Sequence, residues 1–218
     1  MKNFLTSQQT AFFTKNGYIE FEFDFDSEAL FQSARHALSV RLKTEVAKLS
    51  RKSHAEIYAA GRDLWRGEPI LRTLLLRKLA PIVQTLANKQ SLRLGCDQWI
   101  PAHFPWEKAS TCKELFSIQG LGLGVLIASA PFPNPNPSYV GLLPLPSKPG
   151  NVLFFQPRLI LDWPQLANSP PTDLYLALYA MSNSLYIQNP KDPCTNALKQ
   201  FGYGFGDPLK NEFHPQIL

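Results

Sequence analysis

The chain has 218 residues, 44% hydrophobic and 18% charged, with a formal net charge of +5. That length fits one domain, or one domain with an added helical layer, and the composition excludes a disordered chain. Three cysteines, Cys96, Cys112 and Cys194, with no CxxC spacing argue against a disulfide framework or structural zinc and make a reducing cytoplasm the expected compartment.

The opening MKNFLTSQQT is too polar for a signal peptide, and the apolar run Val125 to Ala130 is far too short to cross a bilayer, so no membrane association is expected. Residues 35–93 carry thirteen Lys/Arg and four Asp/Glu, a local balance of +9. Such a field attracts nucleic acid, a phosphorylated ligand or an acidic partner; its plainer meaning is a solvated helix surface.

Thr6-x-x-Gln9 is a capping-box pattern that opens a short helix, and Asn16-Gly17 closes it. Ile19, Phe21, Phe23 and Phe25 then alternate with Glu20, Glu22, Asp24 and Asp26, which predicts a strand with one wet face. Ser27 is the expected N-cap of a long helix whose apolar face runs Leu30, Ala34, Leu38, Leu42, Val46, Leu49. A further helix is expected from His54 to Leu64. Its His54-Ala-Glu56 triplet is no metal motif, because residues two apart on a helix diverge. Pro69 fits the first position of another helix, which Pro81 kinks or restarts before Asn88.

Ser91 to Ile100 reads as a strand, and the segment to Ser110 as irregular, with Trp99 and Trp106 nearby. Leu115 to Ala130 predicts a strand with Gly120, Gly122 and Gly124 on one face, where close packing is expected over a cavity floor. GxGxG followed by VLIASA is no dinucleotide fingerprint, because no helix N-terminus follows. Residues 131–149 hold seven of the nineteen prolines and read as a surface loop outside the core. Pro149-Gly150 is a turn signal, followed by the apolar strand Asn151 to Phe155, a break at Gln156-Pro157 and an extended piece from Arg158 to Trp163. In Asp173 to Ser182, Leu174, Leu176 and Leu178 oppose Tyr175, Ala177 and Tyr179. The turn-rich tail from Asn183 reads as a wrapping segment.

The stretches FFTKNGYIEFEF, GLLPLPSKPG and KPGNVLFFQPRLILDW together resemble the phytanoyl-CoA dioxygenase-like branch of the iron(II)/2-oxoglutarate oxygenases. The resemblance implies an α+β fold. In it, a double-stranded β-helix of jelly-roll or cupin-like type over residues 91–182 is braced by helices in 1–90 and wrapped by 183–218 in a single domain. It also implies a His-x-Asp between about residues 105 and 120, a second histidine near 161, and an arginine near Thr172-Asp173. The sequence departs from that pattern: Cys112-Lys113-Glu114 stands nearest the first motif, and Leu161-Asp162 stands at the second. His103 is the remaining candidate ligand. A thiolate with two carboxylates is a poor iron(II) site. The expectation is therefore a pseudoenzyme with no metal or cofactor, working as a binding or scaffolding module. The alternatives are an oxygenase using iron(II) and 2-oxoglutarate through unusual ligands, and a binder of nucleic acid or an acidic partner through residues 35–93. There is no Gly-x-Ser-x-Gly elbow or phosphate loop, and nothing orients a Cys-His pair between Cys96 or Cys112 and His103.

Overall fold

The computed structural model describes residues 5–23, 25–88, 91–130, 142–168 and 173–217. Helix α1 (Ser7–Asn16) carries the expected capping box, with Thr6 Oγ1 accepting from Gln9 N–H at 3.2 Å and Gln9 Oε1 accepting from Thr6 N–H at 2.8 Å. Gly17, at φ 80°, closes it in the left-handed conformation that favours glycine. Strand β1 (Tyr18–Phe21) is shorter than its alternating pattern, because its partner β5 (Val152–Phe155) offers only four residues after the Pro149-Gly150 turn. Phe23 and Phe25 still turn inward beyond the strand. Glu20 departs from the wet-face expectation: its Oε1 accepts from Ser147 N–H, Ser147 Oγ–H and the Asn151 side-chain amide at 2.7–2.9 Å.

Helix α2 (Ser27–Arg41) is capped by Asp26, whose Oδ1 accepts from Ala29 N–H at 2.9 Å; Ser27 is its first helical residue and not the cap. The helix stops eight residues before Leu49. Lys43 takes a left-handed φ of 48°, with Lys43 N–H bonded to Val40 O and Thr44 N–H to Ser39 O, the paired bonds of a Schellman ending. The predicted face is thus split between α2 and a 3₁₀ turn over Val46–Arg51, where Val46 is 44% exposed.

Helix α3 (His54–Ala60) also ends early. Gly61 lies where a Cβ would sit 2.7 Å from that of Trp99, and Arg62 pairs with Gln98 along the outer edge of β2 (Leu92–Ile100). The chain leaves its helix there to cover a sheet edge, as unpaired edges require. After a 3₁₀ turn over Leu64–Arg66, α4 (Pro69–Thr73) starts on Pro69 as expected. A π turn over Leu74–Lys78 absorbs the missing N–H of Pro81, and α5 (Ala80–Leu86) restarts the helix.

The remaining elements are β3 (Ser110–Thr111), α6 (Cys112–Leu115), β4 (Ile118–Ala128), β6 (Ile160–Leu161), α7 (Trp163–Asn168) and β7 (Leu174–Tyr186). An antiparallel five-stranded sheet runs in the order β1-β5-β4-β7-β2, and β3 pairs with β6 in a second, two-stranded sheet. Tyr175, Ala177 and Tyr179 face a first core cluster shared with the helices, while Leu174, Leu176 and Leu178 face a second cluster on the other side. The tail crosses the outer edge of β2, with Gln216 bridged to Arg93 and Ile217 N–H bonded to Leu92 O.

Two expectations are corrected here. The three glycines of β4 do not share a face: bulges on either side of Leu121 shift the register, so Gly122 lies against Leu92 and Met181 while Gly124 lies under the Phe155 ring. Close packing does hold, by a side chain. The proline-rich loop falls partly outside the described residues, at 131–141, but its end is core, with Leu143 and Leu145 buried in the second cluster.

A buried carboxylate ties the helical layer to the sheet. Asp97 Oδ2 accepts from Trp65 N–H at 3.1 Å and from the Tyr175 hydroxyl. Burial, reinforced by the nearby charge of Asp63, pushes Asp97 up to about 7, from 3.8. Between those pH values the folded chain keeps a proton that the unfolded chain has lost, so this contribution to stability is present at low pH and is lost as pH rises through about 7. His214 works the other way. Burial, with the Arg66 charge, lowers it to about 4, so its contribution is lost as pH falls from 6.5 towards that value.

The Asp97 effect is therefore visible as a difference between variants. Asp97→Asn gains stability relative to the parent as pH rises from 5 to about 7, by up to roughly 3 kcal/mol at about 1.4 kcal/mol per pH unit, and the difference levels off above that. Urea unfolding at several pH values measures it, and a constant difference would refute the assignment. Two further variants test the clusters by the same method. Leu38→Asp, at a site 1% exposed, lowers stability by several kcal/mol. Gly124→Ala, whose Cβ would lie 2.3 Å from Phe155 Cζ, lowers it by about 1–3 kcal/mol. Parent-like unfolding of either would show the packing to be misassigned.

Candidate functional site

The second cluster lies between the five-stranded sheet and the small β3-β6 pair, in register Ser110 to Leu161 and Thr111 to Ile160. Of the positions singled out by sequence, Cys112, Glu114, Leu161 and Asp162 fall at this pair or just beyond it, and each has a structural task. Thr111 caps α6, and Glu114 closes its capping box, accepting from Thr111 N–H at 2.8 Å and Thr111 Oγ1–H at 3.1 Å. Those hydrogen bonds, the backbone one first, hold the Glu114 carboxyl below its usual range. Cys112, the first residue of α6, is fully buried, and burial pushes its thiol well up, so the sulfur stays protonated. Leu161 is 1% exposed and packs in the same cluster. Asp162 turns away to α7, where its Oδ1 accepts from Gln165 N–H at 3.0 Å.

Cys112 and Leu161 are thus brought into one apolar cluster, while Glu114 and Asp162 are turned to helix N-termini. This donor set does not fit iron(II). Leu161 has no lone pair, the Cys112 thiol is neutral, and both carboxylates are committed to backbone and hydroxyl donors. Among the described residues, no three His, Cys, Asp or Glu side chains gather as a metal site.

The space between the sheets is filled by aromatic rings. Trp163 donates its indole N–H to Ser110 O at 3.1 Å and stacks on Trp106 at 4.8 Å. Trp106 meets Phe104 at 4.7 Å and Tyr58 at 5.7 Å, and Tyr58 meets Phe104 at 4.6 Å. Sequence reasoning noted Trp106 but missed Tyr58 and Phe104 as its partners. Tyr58 comes from α3 and packs in the second cluster, while its neighbour Ile57 packs against the first, so no helical period marks it.

His103 does not join that cluster. It lies at the far end of β2, in a left-handed conformation with φ 61°, and lines a separate cleft of about 450 Å³. The cleft is formed by α2, the 3₁₀ turn over Val46–Arg51, the start of α3, the residues after β2 and Asp173. Leu38, Leu49, Ile57 and Trp99 form its apolar wall, and Arg35, Lys52, His54 and His103 bring cationic or titratable heads to it. Asp173, near the position where the resemblance implies a cosubstrate-binding arginine, instead receives one: Arg35 Nε and Nη2 both donate to Asp173 Oδ2, at 3.1 and 2.6 Å. The neighbouring Thr172 lies outside the described residues. These residues are scattered from 35 to 173, and no local motif joins them.

No protein-family model matches the sequence, and it matches no curated protein. Solved structures do match. The non-heme alpha-ketoglutarate-dependent carbocyclase SnoK from nogalamycin biosynthesis aligns with a TM-score of 0.69 at 15% identity, over 98% of this chain and 97% of that one. The epimerase SnoN of the same biosynthesis aligns at 0.66 and 16%, over 97% and 98%. CytC3, solved with Fe(II) and alpha-ketoglutarate, aligns at 0.60 and 14%, over 85% and 81%. Such identities speak for architecture alone. Helices laid on an antiparallel sheet, with a small second sheet opposite, give this chain the fold of the non-heme iron, alpha-ketoglutarate-dependent enzymes.

Proposed function

We propose that this chain is a non-catalytic binding or scaffolding module built on an oxygenase fold, a pseudoenzyme of the phytanoyl-CoA dioxygenase-like type. The five-stranded sheet facing the β3-β6 pair supports reading the architecture as a double-stranded β-helix with one sheet reduced. One observation carries the functional reading. Where the fold's enzymes need metal donors, Cys112 and Leu161 serve as core, and Glu114 and Asp162 serve as helix-capping groups.

An acidic partner is the second reading, and the use of the basic residues bears on it. Of the thirteen Lys/Arg in 35–93, Arg41, Arg62, Arg66, Arg72 and Arg93 are spent on backbone carbonyls or internal carboxylates. Arg35 and Lys52 remain at the cleft. Lys43, Lys48, Arg51, Arg77 and Lys78 are exposed as well, so the field offered to an acidic group is spread along the helices and includes the cleft. A reducing cytoplasm is the proposed setting, on the ground that all three cysteines are free; among the described residues no helix is long and apolar enough to cross a membrane.

Iron content by mass spectrometry after anaerobic loading with iron(II), and succinate release from 2-oxoglutarate, test the proposal. The expected result is substoichiometric iron and no succinate. Stoichiometric iron with succinate formation that disappears in Glu114→Ala would overturn it and establish an oxygenase with unusual ligands. Loss of the capping box in that variant removes only about 1 kcal/mol of stability, so the protein remains folded for the assay.

A further inference from the structure

We propose that the cleft at the end of β2 is a binding site for a small amphiphilic anion: an apolar body against Trp99, Leu49 and Ile57, with a carboxylate or phosphate head held by Arg35 and Lys52. The cleft is on the helix side of the sheet, apart from the aromatic-filled second cluster, and it shares Leu38 and Trp99 with the first cluster. Its volume of about 450 Å³ is that of a small-molecule site.

The charge of the lining selects the head group. Two permanent cations, Arg35 and Lys52, face the cleft with the imidazoles of His54 and His103, against one lining carboxylate, Asp173. That carboxylate is already engaged. Arg35 holds Asp173 through Nε and Nη2, which leaves its Nη1 edge without a protein partner among the described residues. The pair fixes the guanidinium in place while 46% of the side chain stays exposed, so a planar anion can add to its outer edge. Lys52 reaches Glu56 only at 3.4 Å, on a flexible stem that can turn to a ligand. His103 is held at a left-handed φ, a conformation an L-residue adopts at an energetic penalty and one that recurs at ligand sites.

The body of the ligand follows from the other wall. Trp99 and Leu38 are buried, and Val46 closes the rim while remaining half-exposed. An apolar chain or ring laid there covers Val46 and the partly buried Ile57 and Leu49. A purely ionic ligand would leave this wall wet, and an uncharged one would leave Arg35 Nη1 without an acceptor. The site thus specifies both halves.

Titration calorimetry with sodium decanoate, decyl phosphate and 1-decanol, each below its aggregation limit, tests the inference on the full chain. Saturable binding of one equivalent is expected for at least one anion, with decanol weaker by roughly tenfold or more. The tighter of the two anions identifies the head group as carboxylate or phosphate. Lys52→Gln should weaken the anion roughly tenfold without changing the unfolding midpoint. Ala102→Trp, which fills the cleft and keeps every charge, should abolish binding. Absence of saturable anion binding, equal binding of decanol, or binding unchanged in both variants would overturn the assignment. The inference deepens the binding-module reading and names its ligand, yet the two fail separately. Iron-dependent succinate release with intact decanoate binding would sink the non-catalytic reading alone, and an iron-free protein that binds neither anion would sink this one alone.

Discussion

The ion pair between Arg62 and Asp192 is the contact on which the assembly depends. Their side chains are 7% and 0% exposed, with Nη2 and Oδ1 2.8 Å apart. Burial works against the charge on Arg62, but the Asp192 carboxylate together with smaller contributions from neighbouring groups raises it above its usual range, so the guanidinium stays ionised. Its Nε donates to Gln98 Oε1 at 2.7 Å, and its plane lies over the Phe116 ring at 4.7 Å. Asp192 in turn accepts from Ser117 N–H and Cys194 N–H, each at 2.9 Å. One pair therefore joins the loop after α3, strand β2, the entrance to β4 and the tail. Such a pair adds little beyond what apolar packing could give, but removing one partner strands a buried charge, typically at about 3–5 kcal/mol. Its role is to fix which segments meet.

Much of the architecture was legible because local signals agreed with the global one. The Thr6/Gln9 box, Pro69 at a helix start and the alternation of Leu174 to Tyr179 all act within one element, where period and capping are decisive. The errors arose where a partner elsewhere in the chain decided the outcome. Strand β1 is as short as β5 allows, and α3 stops because Arg62 pairs with Gln98. The bulges of β4 fall at Gly120, which has a left-handed φ of 92°, and at Gly122, and they shift its register against β7. Asp26 displaced Ser27 as a cap by a single residue, a choice that composition hardly distinguishes, since both types cap well.

The candidate site was legible in one half only. That Leu161 lacks a lone pair is visible in the sequence. That Glu114 is spent on Thr111 is visible there too, since Thr-x-x-Glu is itself a capping box, although the triplet Cys112-Lys113-Glu114 drew attention to a metal instead. The cleft could not be read. Its cations come from α2 and from Lys52, just after a 3₁₀ turn that interrupts the predicted helix, and its aspartate immediately precedes a strand more than a hundred residues away. The cleft opens between the helices and the end of the large sheet, on the side of the first cluster.

Strand β7 runs between β2 and β4, and along its first seven residues it is buried on both faces, with Tyr175, Ala177 and Tyr179 in the first cluster and Leu174, Leu176 and Leu178 in the second. Amide hydrogens near Ala177 in the middle of β7 can reach solvent only by opening the whole sheet, so they exchange at the rate of global unfolding. The small β3-β6 pair rests on the second cluster, whereas the tail is tied to both, with Leu198, Tyr203 and Leu209 in the second cluster and Ile217 in the first. Opening of the β3-β6 pair can therefore leave the helical layer docked on the sheet, while the tail comes away only when its bonds to the edge of β2 break as well.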